Sequence, residues 1–369
     1  MWSELFPTQL VGSYHKPHWL ADHAKVYTKE GGWWRVASEQ LAAAKDDAVS
    51  LAVFDQNRAG MSYATDGEQR RQTFSGHFNV LGGIDSDNPL QFTNFQNDIT
   101  PFLEMRQKAK GVGADVKKDA KSAKAPEVLF PSVRSPIHWP GPIVVDDAIF
   151  LKKIAANKTK VTVIGPVTLS YRLVDSGIYG SHAELMMAIA DALNKELRAL
   201  ADAGVDLIQI DEPEVHFRLS QCKDFTVEAL NRMVDGVSAR TAVHVCYGYS
   251  KNIAYKQASP VYPKAVACVA ESNIDAISVE YAQPGHTPDF LECLGDKDVI
   301  LGVLNLDPMG EVETTQGIVS KVKDAISVMP PERISLAPDC GMWFLPRDFA
   351  FKKLKAMTAA AAILKTQYS

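Results

Sequence analysis

TAVHVCYG, residues 241–248, is a short apolar run that carries a histidine and a cysteine two positions apart and closes on glycine. A run of this length, rich in β-branched residues and bounded by a turn residue, reads as a buried strand of a parallel sheet. In a strand, residues i and i+2 share a face, so His244 and Cys246 can address one point.

The same pattern repeats on both sides of that run. Upstream, VTVIGPVTLS (161–170) reads as a strand. HAELMMAIADALNKELRALADAG (182–204) reads as an amphipathic helix stopped by glycine, and VDLIQIDEP (205–213) as a strand ending in acids. Residues 225–237 read as the next helix. Downstream, helix 260–272 leads to strand DAISVEY (275–281), and short helix DFLECLG (289–295) to strand VILGVLNL (299–306). GIVSKVKDAISVM (317–329) is a helix, ISLAPDCG (334–341) a strand, and FAFKKLKAMTAAAAILK (349–365) a closing helix. Six consecutive strand-then-helix units predict a parallel sheet with crossover helices.

Two more units fit before them. TQLVGSY (8–14) supplies a strand, SEQLAAAKDDAVSLAVFDQNRAG (38–60) a helix, and MSYATDGEQ (61–69) another strand. Eight units predict the α/β class, as a single (β/α)8 TIM barrel and one catalytic domain over 1–369. Residues 70–160 exceed a minimal unit and read as an extended excursion. Within it, QKAKGVGADVKKDAKSAKA (107–125) is rich in Lys, Ala and Gly and reads as a flexible solvated loop.

Bulk properties narrow the function. The chain has 369 residues, 46% hydrophobic and 22% charged, with net charge −5 and a sequence pI near 6.0. That balance speaks against a nucleic-acid surface. No apolar run reaches membrane-spanning length, and MWSELFPTQL lacks the features of a secretory leader. Five cysteines in a chain this long make no disulfide framework, so a reducing, cytoplasmic setting is expected.

If the strands share one barrel, their C-terminal ends converge at its mouth. His244, Cys246, Glu280 and Cys340 then meet there as one imidazole, one carboxylate and two thiols, a donor set that fits Zn2+. Carboxylates are more readily displaced than thiolates, which marks Glu280 as the ligand that yields to an incoming thiol. Cys222, read as lying in a loop or helix start, and Cys268 and Cys293, read on helices, look like ordinary small apolar residues. Asp66, Glu68, Asp211 and Glu212 bring carboxylates to the same mouth, for a substrate ammonium group or for acid–base work. The bland alternative is that they cap helices or pair with Arg70 and Arg71. Ser13 offers a hydroxyl for a carboxylate or is a plain turn residue. Tyr247 lines the pocket or is a packed aromatic.

Taken together, VGS (11–13), TDGEQ (65–69), IQIDEP (208–213), HVCYG (244–248), SVE (278–280) and PDCG (338–341) resemble the catalytic barrel of cobalamin-independent methionine synthases. Short, single-barrel relatives are the best match. The resemblance implies zinc held by His244, Cys246, Glu280 and Cys340. It implies that Ser13, Glu68 and Asp211 hold the amino-acid end of homocysteine. Read with the residue chemistry above, Glu280 and Asp211 are the candidate catalytic groups, and Tyr247 stays a candidate substrate-pocket residue. The implied partners are a thiol acceptor and a methyl donor, with a methyl-carrier protein as one way to deliver the methyl group.

The chain departs from that family in two places. Tyr171 and Arg172 follow the G-P-V-T stretch where folate-dependent members carry tryptophan. VLNLDPMGEVET, with Asn305 and Asp307, stands where an H-S-P-R motif is expected. The donor therefore stays open among a methyl-folate, a methyl-corrinoid and a small methylated compound. Other chemistries compatible with the residues are an epoxide-opening thiol transferase, a zinc hydrolase and a binding protein with structural zinc.

Overall fold

The computed structural model describes residues 1–25, 32–73, 75–91, 129–248 and 253–369. Its strands are β1 (Tyr63–Ala64), β2 (Gly82–Gln91), β3 (Leu129–His138), β4 (Lys158–Ile164), β5 (Val174–Asp175), β6 (Leu207–Asp211), β7 (Arg240–Val245), β8 (Ala276–Val279), β9 (Asp298–Leu304) and β10 (Ile334–Pro338). Seven of them form one curled parallel sheet in the order β1–β4–β6–β7–β8–β9–β10. Every residue of β6, β8, β9 and β10 is buried, as a sheet covered on both faces requires. One contiguous hydrophobic cluster extends from Phe6 to Leu364.

Local chemistry explains where the helices begin and end. Ser181 caps helix His182–Asp202 by accepting from the Glu184 N–H, and Gly204 ends that unit at φ +80. Thr314 caps Thr315–Ile326 in the same way, by accepting from the Gly317 N–H. Helix Leu41–Ala59 stops at Gly60, which takes the left-handed conformation. Among the described residues no helix is long and apolar enough to cross a membrane.

The predicted closed eight-stranded barrel is corrected at one place. Between β10 and β1, residues 7–13 touch both neighbours without forming a strand. Thr8 bridges Leu336; the Leu336 N–H donates to Pro7 O, and the Gln9 N–H donates to Leu336 O. On the other side, the Ser62 and Tyr63 N–H groups both donate to Thr8 O. Beyond Gln9, side chains replace the ladder. Lys160 Nζ donates to Leu10 O, Gln209 Nε2 to Val11 O, and Thr65 Oγ1 to Gly12 O. The regular sheet is thus a seven-stranded half-barrel, with the N-terminal segment tied across its open side.

Other differences have equally local causes. The expected strand 161–170 ends at Ile164, because Gly165 and Pro166 start the short helix Pro166–Ser170. The expected strand 61–69 shrinks to Tyr63–Ala64, since Gly67 and Glu68 both have positive φ and turn the chain. The helix expected at 225–237 runs instead over Pro213–Val234, so Cys222 lies buried inside a helix rather than at its start. Among the described residues, the excursion expected at 70–160 holds β2 and β3, paired antiparallel, with β5 beside β3 in a separate three-stranded sheet. Helix Val145–Ile154, placed within that excursion, is the crossover that precedes β4. The 107–125 stretch lies outside the described residues.

Candidate functional site

A cavity of about 630 Å³ opens where the parallel strands end. Ser13, Glu68, Asp211, His244, Cys246 and Cys340 line its depth, and Trp33, Phe217 and Trp343 line it as well.

One wall comes from regular strands. Parallel register aligns His244 of β7 with Asp211 of β6 and Ser278 of β8. Cys246 follows the last residue of β7, and Cys340 comes two residues after β10. The ligand atoms of His244, Cys246 and Cys340 lie within 4.8 Å of one another, and all three residues are buried. The two sulfurs are 3.4 Å apart. His244 Nδ1 contacts Ser278 Oγ at 3.0 Å, while its buried Nε2 has no hydrogen-bond partner among the described residues. Nδ1 donating to the serine leaves the Nε2 lone pair for a metal. The Gly248 N–H donates to Cys246 Sγ at 3.0 Å, an interaction that favours a thiolate. Hydrogen bonding to Cys246, together with burial, pushes the Cys340 thiol well above its ordinary value. Holding both sulfurs as thiolates would therefore need a cation, and one imidazole with two thiolates suits zinc.

Glu280, the expected fourth ligand, is not brought into this group. It follows β8 and is fully buried, with both carboxylate oxygens occupied. The Tyr247 N–H donates to Oε1 at 2.8 Å, and Lys256 Nζ donates to Oε2 at 2.5 Å. Burial raises the Glu280 carboxyl, and the Lys256 ammonium opposes that rise. Of the two alternatives for Tyr247, the packed aromatic is the one its ring follows. Its ring stacks on Tyr262 with centroids 4.0 Å apart, its hydroxyl donates to Lys256 O, and it is not among the residues lining the cavity.

The opposite wall sets irregular chain, carrying Ser13 and Glu68, beside Asp211 at the end of β6. Glu68 has φ +55, an uncommon conformation for a residue with a side chain, and it follows Gly67 at φ +64. Thr162 Oγ1 donates to Glu68 Oε1 at 3.0 Å. Lys16 Nζ fixes the turn by donating to the carbonyls of Glu68, Gln69 and Arg71. Burial holds the Lys16 ammonium down at about 7. Gln209 Nε2 donates to Asp211 Oδ1 at 2.7 Å, and burial pushes the Asp211 carboxyl up to about 7. The buried Ser13 hydroxyl has no hydrogen-bond partner among the described residues.

The other two acids have structural work. Glu212 accepts from the Val167 and Thr168 N–H groups and from the Thr168 hydroxyl, so it caps the helix after β4. Gly165 leaves the room, since a Cβ there would lie 2.1 Å from Glu212 Cδ. Asp66 accepts from the Glu68 N–H within the turn. Arg70 pairs with Asp46 and Asp147, whereas Arg71 lies 4.0 Å from Glu68.

Several participants escaped the sequence. Lys256, Lys16, Lys160, Gln209 and Asp339 were not singled out. Lys160 left little signal, since Lys158, Thr159 and Thr162 share its strand and it precedes the run expected as that strand; Asp339 left one in P-D-C-G. Asp339 accepts from the N–H groups of Tyr281, Ala282 and Gln283, pinning the turn after Glu280.

A family model described as the catalytic domain of cobalamin-independent synthase matches residues 105–363. The methionine synthase of Saccharolobus solfataricus is 29% identical, covering 98% of this chain and 96% of its own length. That of Sulfurisphaera tokodaii is 27% identical, covering 98% and 94%. Among solved structures, a B12-independent methionine synthase from a Shewanella species, in complex with selenomethionine, aligns with a TM-score of 0.80 at 28% identity, covering 98% of both chains.

Proposed function

The chain belongs to the cobalamin-independent methionine synthase catalytic-domain family, and from that premise we propose that it is a zinc-dependent methyltransferase that converts homocysteine to methionine. The observation that carries this reading is one cavity with a His244–Cys246–Cys340 donor trio on one wall and Ser13, Glu68 and Asp211 on the other.

His244 Nε2, Cys246 Sγ and Cys340 Sγ would hold zinc, with Glu280 as a fourth ligand that can leave. When bound there, zinc supplies the Lewis acidity that keeps a thiol deprotonated at neutral pH. Asp211 and Glu68 receive the substrate ammonium group, and Gln209 orients the Asp211 carboxylate. The Ser13 hydroxyl, lacking an internal partner, is placed to donate to the substrate carboxylate. These contacts fix the amino-acid end and leave the sulfur to attack the methyl carbon. The new S–CH3 bond forms as the bond from that carbon to its carrier breaks. Holding the two reactants in line supplies much of the rate.

Zinc-loaded protein given homocysteine, with a methyl-folate, methylcobalamin and a small methylated compound in parallel, tests the proposal. Methionine is scored by mass spectrometry, and the productive arm assigns the donor class. Asp211→Asn is expected to keep its zinc and raise the homocysteine KM about 10–100-fold, the worth of one charge-assisted contact of about 1.5–3 kcal/mol. No methionine from any arm, with zinc present, would overturn the acceptor assignment.

A further inference from the structure

We propose that Lys256 is a positioning residue that receives the Glu280 carboxylate when that group is off the metal trio, giving Glu280 two resting places. The inference rests on the zinc trio proposed above and names a residue of this chain that controls its open position.

Both Glu280 oxygens are satisfied away from the trio, one by the Tyr247 N–H and one by Lys256 Nζ. Yet Tyr247 directly follows Cys246, so the carboxylate sits beside the donors it is expected to join. Lys256 is 3% exposed. A buried ammonium persists only when paired and hydrogen-bonded. Its second acceptor is Gln283 Oε1, at 2.5 Å. Asp339 fixes the turn that presents Gln283 through three backbone N–H groups. The Lys256 ammonium also lies 5.4 Å over the Tyr247 ring. Lys256 is therefore a fixed post rather than a mobile surface charge.

The consequence concerns ligand count. With the carboxylate on Lys256, the trio offers three protein donors and leaves one place for a thiol. With the carboxylate on the metal, the site is closed by four protein donors. Lys256 lowers the cost of the open arrangement, because a displaced carboxylate would otherwise be buried and unpaired.

Cobalt(II)-substituted protein reads this without turnover. Homocysteine is titrated and its thiolate-to-cobalt absorption band followed. Lys256→Met is expected to keep one cobalt per chain but to weaken homocysteine binding about tenfold, the order set by one charged hydrogen bond. Lys256→Met/Glu280→Gln is expected to recover wild-type affinity, since the competing carboxylate is gone. Lys256→Gln keeps a donor without the charge, gives the same test where the methionine variant folds poorly, and is expected to weaken binding in the same direction. Unchanged homocysteine affinity in the single variants, or no recovery in the double variant, would overturn the proposal. Failure of the wild-type protein to take up cobalt would instead overturn the metal trio itself.

Discussion

His244, Cys246 and Cys340 stand at or just beyond the ends of regular strands, whereas Ser13 and Glu68 stand on chain that belongs to no strand. On the first wall, backbone register sets the distances, so the donors converge because β7 and β10 sit in a continuous ladder. On the second, buried side chains set them. Lys16 clamps the Glu68 turn, and Lys160 with Gln209 holds residues 9–11. Position on the first wall is inherited from the sheet; on the second it is assembled from a few polar contacts.

If the walls are independent, damage to one should spare the other. Cys340→Ser should have the largest effect. Zinc in desalted protein should fall to trace, and turnover should drop at least about 100-fold. Circular dichroism should stay unchanged, and homocysteine-independent stability nearly so. Zinc-dependent turnover surviving in this variant would break the comparison at its stronger side.

Lys160→Met attacks the second wall through stability. It leaves Gln9 Oε1 and Leu10 O without their buried donor. At about 1–3 kcal/mol for each of the two unsatisfied groups, the unfolding free energy should fall by about 2–6 kcal/mol. The variant should also change the response to pH. Burial holds the Lys160 ammonium down at about 7, below its ordinary 10.5. Between those values the unfolded chain keeps a proton that the folded chain has released, so stability rises with pH across that window. Lys16 is lowered likewise and contributes the same sign. Denaturant titrations from pH 7 to 10 should show a shallower slope in Lys160→Met. An unchanged slope would mean that Lys160 does not carry it.

Gly67→Ala should have the smallest effect. Its φ of +64 disfavours a side chain, and a Cβ would meet Ala52 Cβ and Tyr14 Cβ at 3.1 Å. A loss of about 1–2 kcal/mol is expected from the left-handed conformation. The homocysteine KM should rise while zinc content holds. Zinc lost in this variant would show that the two walls communicate.

The same division explains what the sequence disclosed. The strands β4 and β6 to β10 were legible because each holds a short apolar run between helix signals. His244, Cys246 and Cys340 were legible because a fixed register makes strand ends converge. Residues 8–14 were read as a strand, but backbone bonds hold only residues 7–9, and side chains distant in sequence hold residues 10–12. Lys256 was illegible for a related reason. Nothing in IAYKQA distinguishes a buried lysine from an exposed helix residue until Glu280 and Gln283 are placed against it. Glu212 and Asp66 looked like Glu68 and Asp211 in sequence, and only Gly165 and the turn at Gly67 separate the two pairs.

The tie across the open side of the sheet also bears on how such a protein can change over time. A strand inside a ladder cannot shift one residue without turning every side chain to the wrong face. Residues 10–12 are instead held through the side chains of Lys160, Gln209 and Thr65, each replaceable singly. The wall of Ser13 and Glu68 can thus be reshaped in small steps while the wall of His244, Cys246 and Cys340 stays where it is, so descendants of one scaffold can change one side of the cavity before the other.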